Sequence, residues 1–177
     1  MAIPHRSVLS APQEPSLIPG VLVVLGGCGV LLEGPSGAGK SDAAAALLDR
    51  GHALVTDDAV QLRRDGNRLL GECPDEGRGL LYLRDLGATD VADLYPGACR
   101  RRAEIGLCLR LQPEPGPSEA EALLQGRRDE LWLLGVRLPR ITLTDSLRRP
   151  LAPLIEAAAG HPQRSTTPTG AVGGETA

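Results

Sequence analysis

Residues 21–58, VLVVLGGCGVLLEGPSGAGKSDAAAALLDRGHALVTDD, decide the fold. Two apolar runs, Val21–Leu25 and Val30–Glu33, flank Gly26-Gly27, a pattern that predicts a β-hairpin. Gly34-Pro35-Ser36-Gly37-Ala38-Gly39-Lys40-Ser41 then matches GxxxxGK[ST] in full, after a strand and before an alanine-rich helix predicted over Ser41–Arg50, which is the context that gives the motif meaning. Glycines let successive N–H groups turn inward around an anion. The helix start adds unpaired donors and partial positive charge. Lys40 suits the β- and γ-phosphates as a point charge and Ser41 suits Mg²⁺. The loop therefore predicts a nucleoside triphosphate, with Gly34 to Ser41 as its binding residues. Lys40 is the only lysine of the chain; the other 18 basic residues are arginine. Lysine is kept where a compact ammonium on a flexible stem is needed.

The helix carries the chain about 15 Å away, and Gly51 suits the residue after its last turn. Ala53–Thr56 returns about 13 Å as a strand. A right-handed βαβ crossover of this kind brings Asp57 and Asp58 to the edge that carries the phosphate loop. Two adjacent carboxylates there divide two tasks, one holding the metal with Ser41 and one accepting a proton from an attacking hydroxyl. Asp-Asp is also common in solvated turns. Arg84 and the run Arg100-Arg101-Arg102 are further candidates for phosphate or acidic partners, with a solvated face as the plain alternative.

Outward from this segment, Val60–Arg64 and Arg68–Glu72 flank Asp65-Gly66-Asn67 as a second hairpin. Further strands are expected at Leu80–Leu83, Glu104–Leu111, Leu131–Leu134 and Val136–Leu143. A short helix is expected at Glu119–Leu124 and a closing one that Pro150 and Pro153 restrict to a start near Pro153. Residues 1–18 read as a flexible lead-in, 19–159 as one catalytic domain and 160–177 as a disordered tail.

The 177 residues suit one domain. With 19 Lys+Arg against 22 Asp+Glu, the net charge of −3 argues against a nucleic-acid partner. Aromatics at 2% exclude a base-stacking platform. Cys28, Cys73, Cys99 and Cys108 form no CxxC pair, which argues against zinc and fits a reducing cytoplasm. The uncharged run 16–32 is broken by Pro19 and four glycines, and it is short of a membrane span.

The stretch 29–74 resembles the catalytic core of HPr kinase/phosphorylase, particularly its short proteobacterial form. LLYLRDLGATDV (80–91) is similar to that family's LEIRGLGIIDV-type signature, and ELWLLGVRLPRITL (130–143) to its later strands. The resemblance covers roughly residues 19–145. It implies an α/β, P-loop-containing fold of the HPr kinase/phosphoenolpyruvate carboxykinase type with a mixed central sheet. It also implies an ATP-dependent protein-serine kinase that uses Mg²⁺ to phosphorylate a seryl hydroxyl of the phosphocarrier protein HPr of the phosphotransferase system, regulating carbohydrate metabolism, in a cytoplasmic homo-oligomer, a hexamer in full-length members. By position it makes Lys40 the phosphate ligand, Ser41 and Asp57 the metal ligands, Asp58 the proton acceptor and Arg84 the signature arginine. Two positions depart from the pattern: Pro19 stands where the family has histidine, and Tyr82 where the signature has glutamate. Tyrosine is no substitute for a carboxylate on a hard cation. These departures weigh against the reverse, phosphate-removing reaction and leave a catalytically impaired nucleotide-binding regulatory module as the alternative.

Overall fold

The computed structural model describes residues 16–114, 128–144 and 146–160. The elements are β1 (Ser16–Pro19), β2 (Val21–Leu25), β3 (Cys28–Glu33), α1 (Lys40–Asp49), β4 (Ala53–Thr56), β5 (Ala59–Asp65), β6 (Arg68–Glu72), a 3₁₀ turn (Asp75–Gly77), β7 (Leu80–Leu83), β8 (Gly87–Asp90), α2 (Val91–Leu94), β9 (Arg102–Leu111), β10 (Arg128–Leu133), β11 (Val136–Leu143) and α3 (Leu151–Gly160). Nine strands form a mixed sheet: seven follow the order β1-β5-β6-β9-β3-β2-β4, and β11 and β10 branch from β9, β11 pairing β9 and β10 pairing β11, while β7 and β8 make a separate hairpin. The α/β class with a mixed sheet is as expected.

β9 holds the sheet together. Its first residues, Arg102–Glu104, pair antiparallel with β6, and its last, Cys108–Leu111, run parallel to β11 on the same flank. Its other flank is parallel to β3. A strand of ten residues is long enough to bridge two partners end to end.

The sheet is covered on both faces, which is why β2 and β3 read as unbroken apolar runs rather than alternating ones. Val21, Val23, Val30 and Leu32 face α1 and α3, meeting Ala43, Ala44, Leu47, Leu48 and Ile155. Leu22 and Leu31 face the other way, toward Val60, Leu62, Leu69, Ile105 and Leu138. No described helix is long and apolar enough to cross a membrane.

At the end of α1, the N–H groups of Gly51 and His52 donate to Leu48 and Leu47, at 2.9 and 3.1 Å. Gly51 makes this turn at φ 87°, a left-handed conformation that costs glycine nothing. The return strand does not pair with β3. β2 and β4 are antiparallel, as are β2 and β3, so Leu22 stands opposite both Leu31 and Thr56. β3 and β4 thus run in the same direction with β2 between them. The Gly26-Gly27 turn seats β2 against β3 first, leaving the far edge of β2 for β4. The two strand ends still reach one edge of the sheet.

Other expectations shift. Ser16–Pro19 pairs with β5 as β1, so a strand begins inside the stretch read as a lead-in. Residues 1–15 and 161–177, and the helix expected at Glu119–Leu124, lie outside the described residues. α1 starts at Lys40, one residue early. α3 starts at Leu151, which places Pro153 in the first turn where its missing N–H costs no hydrogen bond. β8 and α2, in a short stretch of mixed polarity, were not expected.

Candidate active site

The phosphate loop leaves β3 at Gly34, against the end of β9. A Cβ at Gly34 would overlap the Leu111 carbonyl oxygen, so glycine alone lets the loop close onto the sheet. Gly37 and Gly39 take left-handed φ values of 80° and 89°. Gly39 is the residue before α1 and offers no side-chain cap; the first intrahelical bond is Ala43 N–H to Gly39 O, 2.9 Å. The amides of Lys40 to Asp42 therefore have no partner within the helix, and an anion is their natural one. Lys40 Nζ donates to the carbonyls of Gly34 and Pro35, both at 2.9 Å, which holds the ammonium across the loop's entrance.

A residue from the far end of the chain supports the loop from below. Ser146 is 3% exposed, and its Oγ donates to Ala38 O at 2.9 Å. Its own N–H donates to Gln112 O, and Gln112 N–H to Leu143 O. Ala38, fully buried, is thereby tied to the ends of β9 and β11.

Asp57 emerges from β4 beside the start of α1. Its Oδ1 accepts from Ser41 Oγ at 2.9 Å and its Oδ2 from the Tyr82 backbone N–H at 2.8 Å. Burial raises its pKa above the usual aspartate value, opposed by those two hydrogen bonds. Asp58 differs in every respect. It is exposed, and it sits at φ 77° with its carbonyl accepting from Gly20 N–H at 2.9 Å. Aspartate tolerates that conformation better than most residues. The turn leaves one carboxylate anchored and buried, and its neighbour free to meet solvent or substrate.

These parts surround a cleft of about 440 Å³ lined by Ser36, Gly37, Gly39, Lys40, Ser41, Asp42, Asp57, Asp58, Tyr82 and Arg84. Lys40, Ser41, Asp57, Asp58 and Arg84 thus meet in one place, while Gly34, Pro35 and Ala38 belong to the same loop without lining the cleft. Arg100 and Arg102 lie elsewhere: Arg100 binds the carbonyls of Gly97 and Cys99, and Arg102 faces Glu72 at 3.9 Å. Pro19 pairs with Ala59, next to Asp58. Tyr82, 49% exposed, lines the cleft and gives its amide to Asp57.

The donor set fits a magnesium–nucleotide. Ser41 Oγ and Asp57 Oδ1 are hard oxygen donors at the rim of an anion cradle. Mg²⁺ is commonly held by one or two carboxylates plus phosphate and water, rather than by an all-protein cage. Among the described residues no group of three or more His, Cys, Asp or Glu could form such a cage. Sequence reasoning missed Ser146 and the Tyr82 amide. The first lies 108 residues from its partner, and the second acts through its backbone, so neither leaves a local signal.

A family model described as the HPr Serine kinase C-terminal domain matches residues 12–171. Among curated relatives, the HPr kinase/phosphorylase of Azoarcus sp. (strain BH72) is 37% identical over 142 residues, covering 78% of this chain and 45% of the relative. That of Halalkalibacterium halodurans is 39% identical over 142 residues, covering 79% and 46%. The chain spans about half the length of the curated relatives it matches. The structure of the Hpr(Ser) kinase/phosphatase from Coxiella burnetii aligns with a TM-score of 0.73 at 30% identity, covering 82% of this chain and 94% of that one.

Proposed function

Because the chain belongs to the HPr serine kinase C-terminal domain family, we propose that it is an ATP- and Mg²⁺-dependent kinase phosphorylating a seryl hydroxyl of the phosphocarrier protein HPr. One observation carries the reading: the 2.9 Å contact between Ser41 Oγ and the buried Asp57 carboxylate, at the mouth of a loop closed by Lys40. Lys40 and the first amides of α1 bind the β- and γ-phosphates. Ser41 and Asp57 hold the metal, which when bound neutralises phosphate charge. Asp58, exposed on the same wall, takes the proton of the seryl hydroxyl at its carboxylate, and Arg84 orients the acceptor side or the transferred phosphate. Each role needs the charge type present at that position.

The test is phosphate incorporation into purified HPr from ATP and Mg²⁺. Incorporation is expected with wild type, while Asp58→Asn should lose 10²-fold or more, on the order of a general base's contribution, yet still bind nucleotide. Unaltered incorporation in Asp58→Asn would remove the assignment.

Tyr82 favours a second reading. Its ring occupies the position of the signature glutamate, so the metal has one carboxylate fewer. A nucleotide-binding regulatory module would show nucleotide-dependent thermal stabilisation without transfer to HPr, and Tyr82→Glu combined with Pro19→His would restore turnover.

A further inference from the structure

β7 sets Tyr82 on the open side of its hairpin. Leu81 before it is buried in the core beneath α1, and successive side chains of a strand point to opposite faces, so Tyr82 faces away from that core. It is exposed and lines the cleft together with Lys40, Asp58 and Arg84. Its backbone lies close to the phosphate loop. Tyr82 N–H donates to Asp57 Oδ2 at 2.8 Å, while Asp57 Oδ1 accepts from Ser41 Oγ at 2.9 Å, so one carboxylate separates the Tyr82 amide from the first turn of α1. Among the described residues, the Tyr82 hydroxyl, the Asp58 carboxylate and the Arg84 guanidinium have no hydrogen-bond or ion-pair partner. An alcohol, a proton acceptor and a cation thus stand uncommitted around one phosphate site.

We propose that Tyr82 is itself a phosphate acceptor: the chain transfers the γ-phosphoryl group of ATP to Tyr82 Oη within its own cleft. The proposal rests on the kinase reading above. A lone pair of Oη forms the new bond to the γ-phosphorus, and the bond from that phosphorus to the β,γ-bridging oxygen breaks. ADP leaves with the electron pair of that bond. The phenol proton passes to the Asp58 carboxylate and from there to water. Arg84 meets the transferred group in a charge-assisted pair.

Tethering favours this acceptor, because a hydroxyl held in the cleft by its own chain reacts without the entropy cost of bringing in a second molecule. The product carries about −1.5 to −2 charge at pH 7, which returns anionic oxygens to the position where the family signature has glutamate. Tyr95 is the one other tyrosine of the chain. Its hydroxyl is hydrogen-bonded to Asp49, the last residue of α1. That is a helix length, about 15 Å, from the phosphate loop.

Incubation of the full chain with γ-labelled ATP and Mg²⁺, in the absence of HPr, tests this, with a parallel reaction that contains HPr. Phosphate is expected on the tryptic peptide Gly79–Arg84, whose only side-chain hydroxyl is that of Tyr82, and mass spectrometry reads it directly. Tyr82→Phe keeps the amide bond to Asp57 and should remove the alkali-stable label from the chain, whereas Tyr95→Phe should leave it in place. Asp58→Asn should slow labelling about 10²-fold or more. The fraction labelled per unit time should not change when the protein is diluted, because cleft and acceptor belong to one chain. A wild-type chain that phosphorylates HPr while its Gly79–Arg84 peptide stays unmodified overturns the proposal and leaves the kinase reading standing. Label on Tyr95 or on a serine or threonine alone, or a rate that falls in proportion to dilution, overturns it too. If neither the chain nor HPr takes up phosphate, the kinase reading falls as well.

Discussion

Asp57→Asn separates what this carboxylate does for folding from what it does for the metal. In the folded chain its two oxygens accept from Ser41 Oγ and Tyr82 N–H, at 2.9 and 2.8 Å. Asparagine keeps an acceptor for Tyr82 and turns an NH₂ toward Ser41, whose hydroxyl rotates to accept. One charge-assisted bond becomes a neutral one, a loss of about 1 kcal/mol. Against this, the desolvation that raises the Asp57 pKa disappears with the charge. The net change without ligand is within about 1 kcal/mol of zero, or about 4 °C in Tm for a chain of this size.

The sign of the pH dependence follows from the same shift. The folded state holds the Asp57 proton more tightly than the unfolded state does, so stability falls as pH rises from the ordinary value of 3.8 through the raised folded pKa. The difference in stability between wild type and Asp57→Asn should therefore move in the variant's favour across that window. Ligand linkage behaves oppositely. At a hundred times Kd, Mg-ATP should stabilise wild type by about 2.7 kcal/mol, or about 5–11 °C. A hundredfold loss of affinity cuts this to about 0.4 kcal/mol, near 1 °C. Differential scanning calorimetry with and without Mg-ATP, from pH 4 to 8, reads both effects. A full nucleotide-dependent shift in the variant would refute the metal role, and an apo Tm more than about 8 °C below wild type would refute the balance of buried charge against hydrogen bonds.

Three further outcomes are expected. Ser146→Ala leaves the Ala38 carbonyl without its buried donor and should cost about 1–3 kcal/mol in chemical denaturation, with weaker nucleotide binding because the loop loses its support. Gly34→Ala drives a methyl into the Leu111 carbonyl and should destabilise by about 3 kcal/mol or more; a soluble variant of unchanged Tm would contradict the packing described. Glu156 accepts from Arg50 at 2.7 and 2.8 Å and meets His52 Nε2 at 2.9 Å, and these partners pull its pKa from 4.5 down to about 2. Its contribution is present above pH 4.5 and lost as pH falls toward 2, so Glu156→Gln should melt below wild type at pH 7 and converge with it in acid.

Local chemistry was legible wherever the information is local. The Gly26-Gly27 hairpin, the glycines of the loop, the alanine-rich α1 and the Gly51 reversal each follow from backbone freedom or helix propensity within a few residues. The bounds of β4, β6, β7 and β11 agree with expectation for the same reason. β1 was hidden because Ser16–Pro19 carries a proline and no alternation, and it forms only as an edge strand on β5, where Pro19 needs no donor partner. β8 and α2 were hidden because Gly87–Leu94 is short and mixes polar and apolar residues without a clear period, and it owes its shape to pairing with β7 and to Asp90 capping Ala92 N–H at 2.8 Å.

By itself the sequence determined an anion cradle with one ammonium and two acids bound for the same sheet edge, since motif spacing and chain reversal are properties of the backbone. Only the tertiary structure decided which acid is buried against Ser41 and which stays open. That division depends on the Tyr82 amide, on Gly20 and on the strand β2 that lies between β3 and β4, contacts that no stretch of neighbouring residues encodes. The same holds for Ser146: a hydrogen bond across 108 positions exists only once β9 and β11 lie side by side.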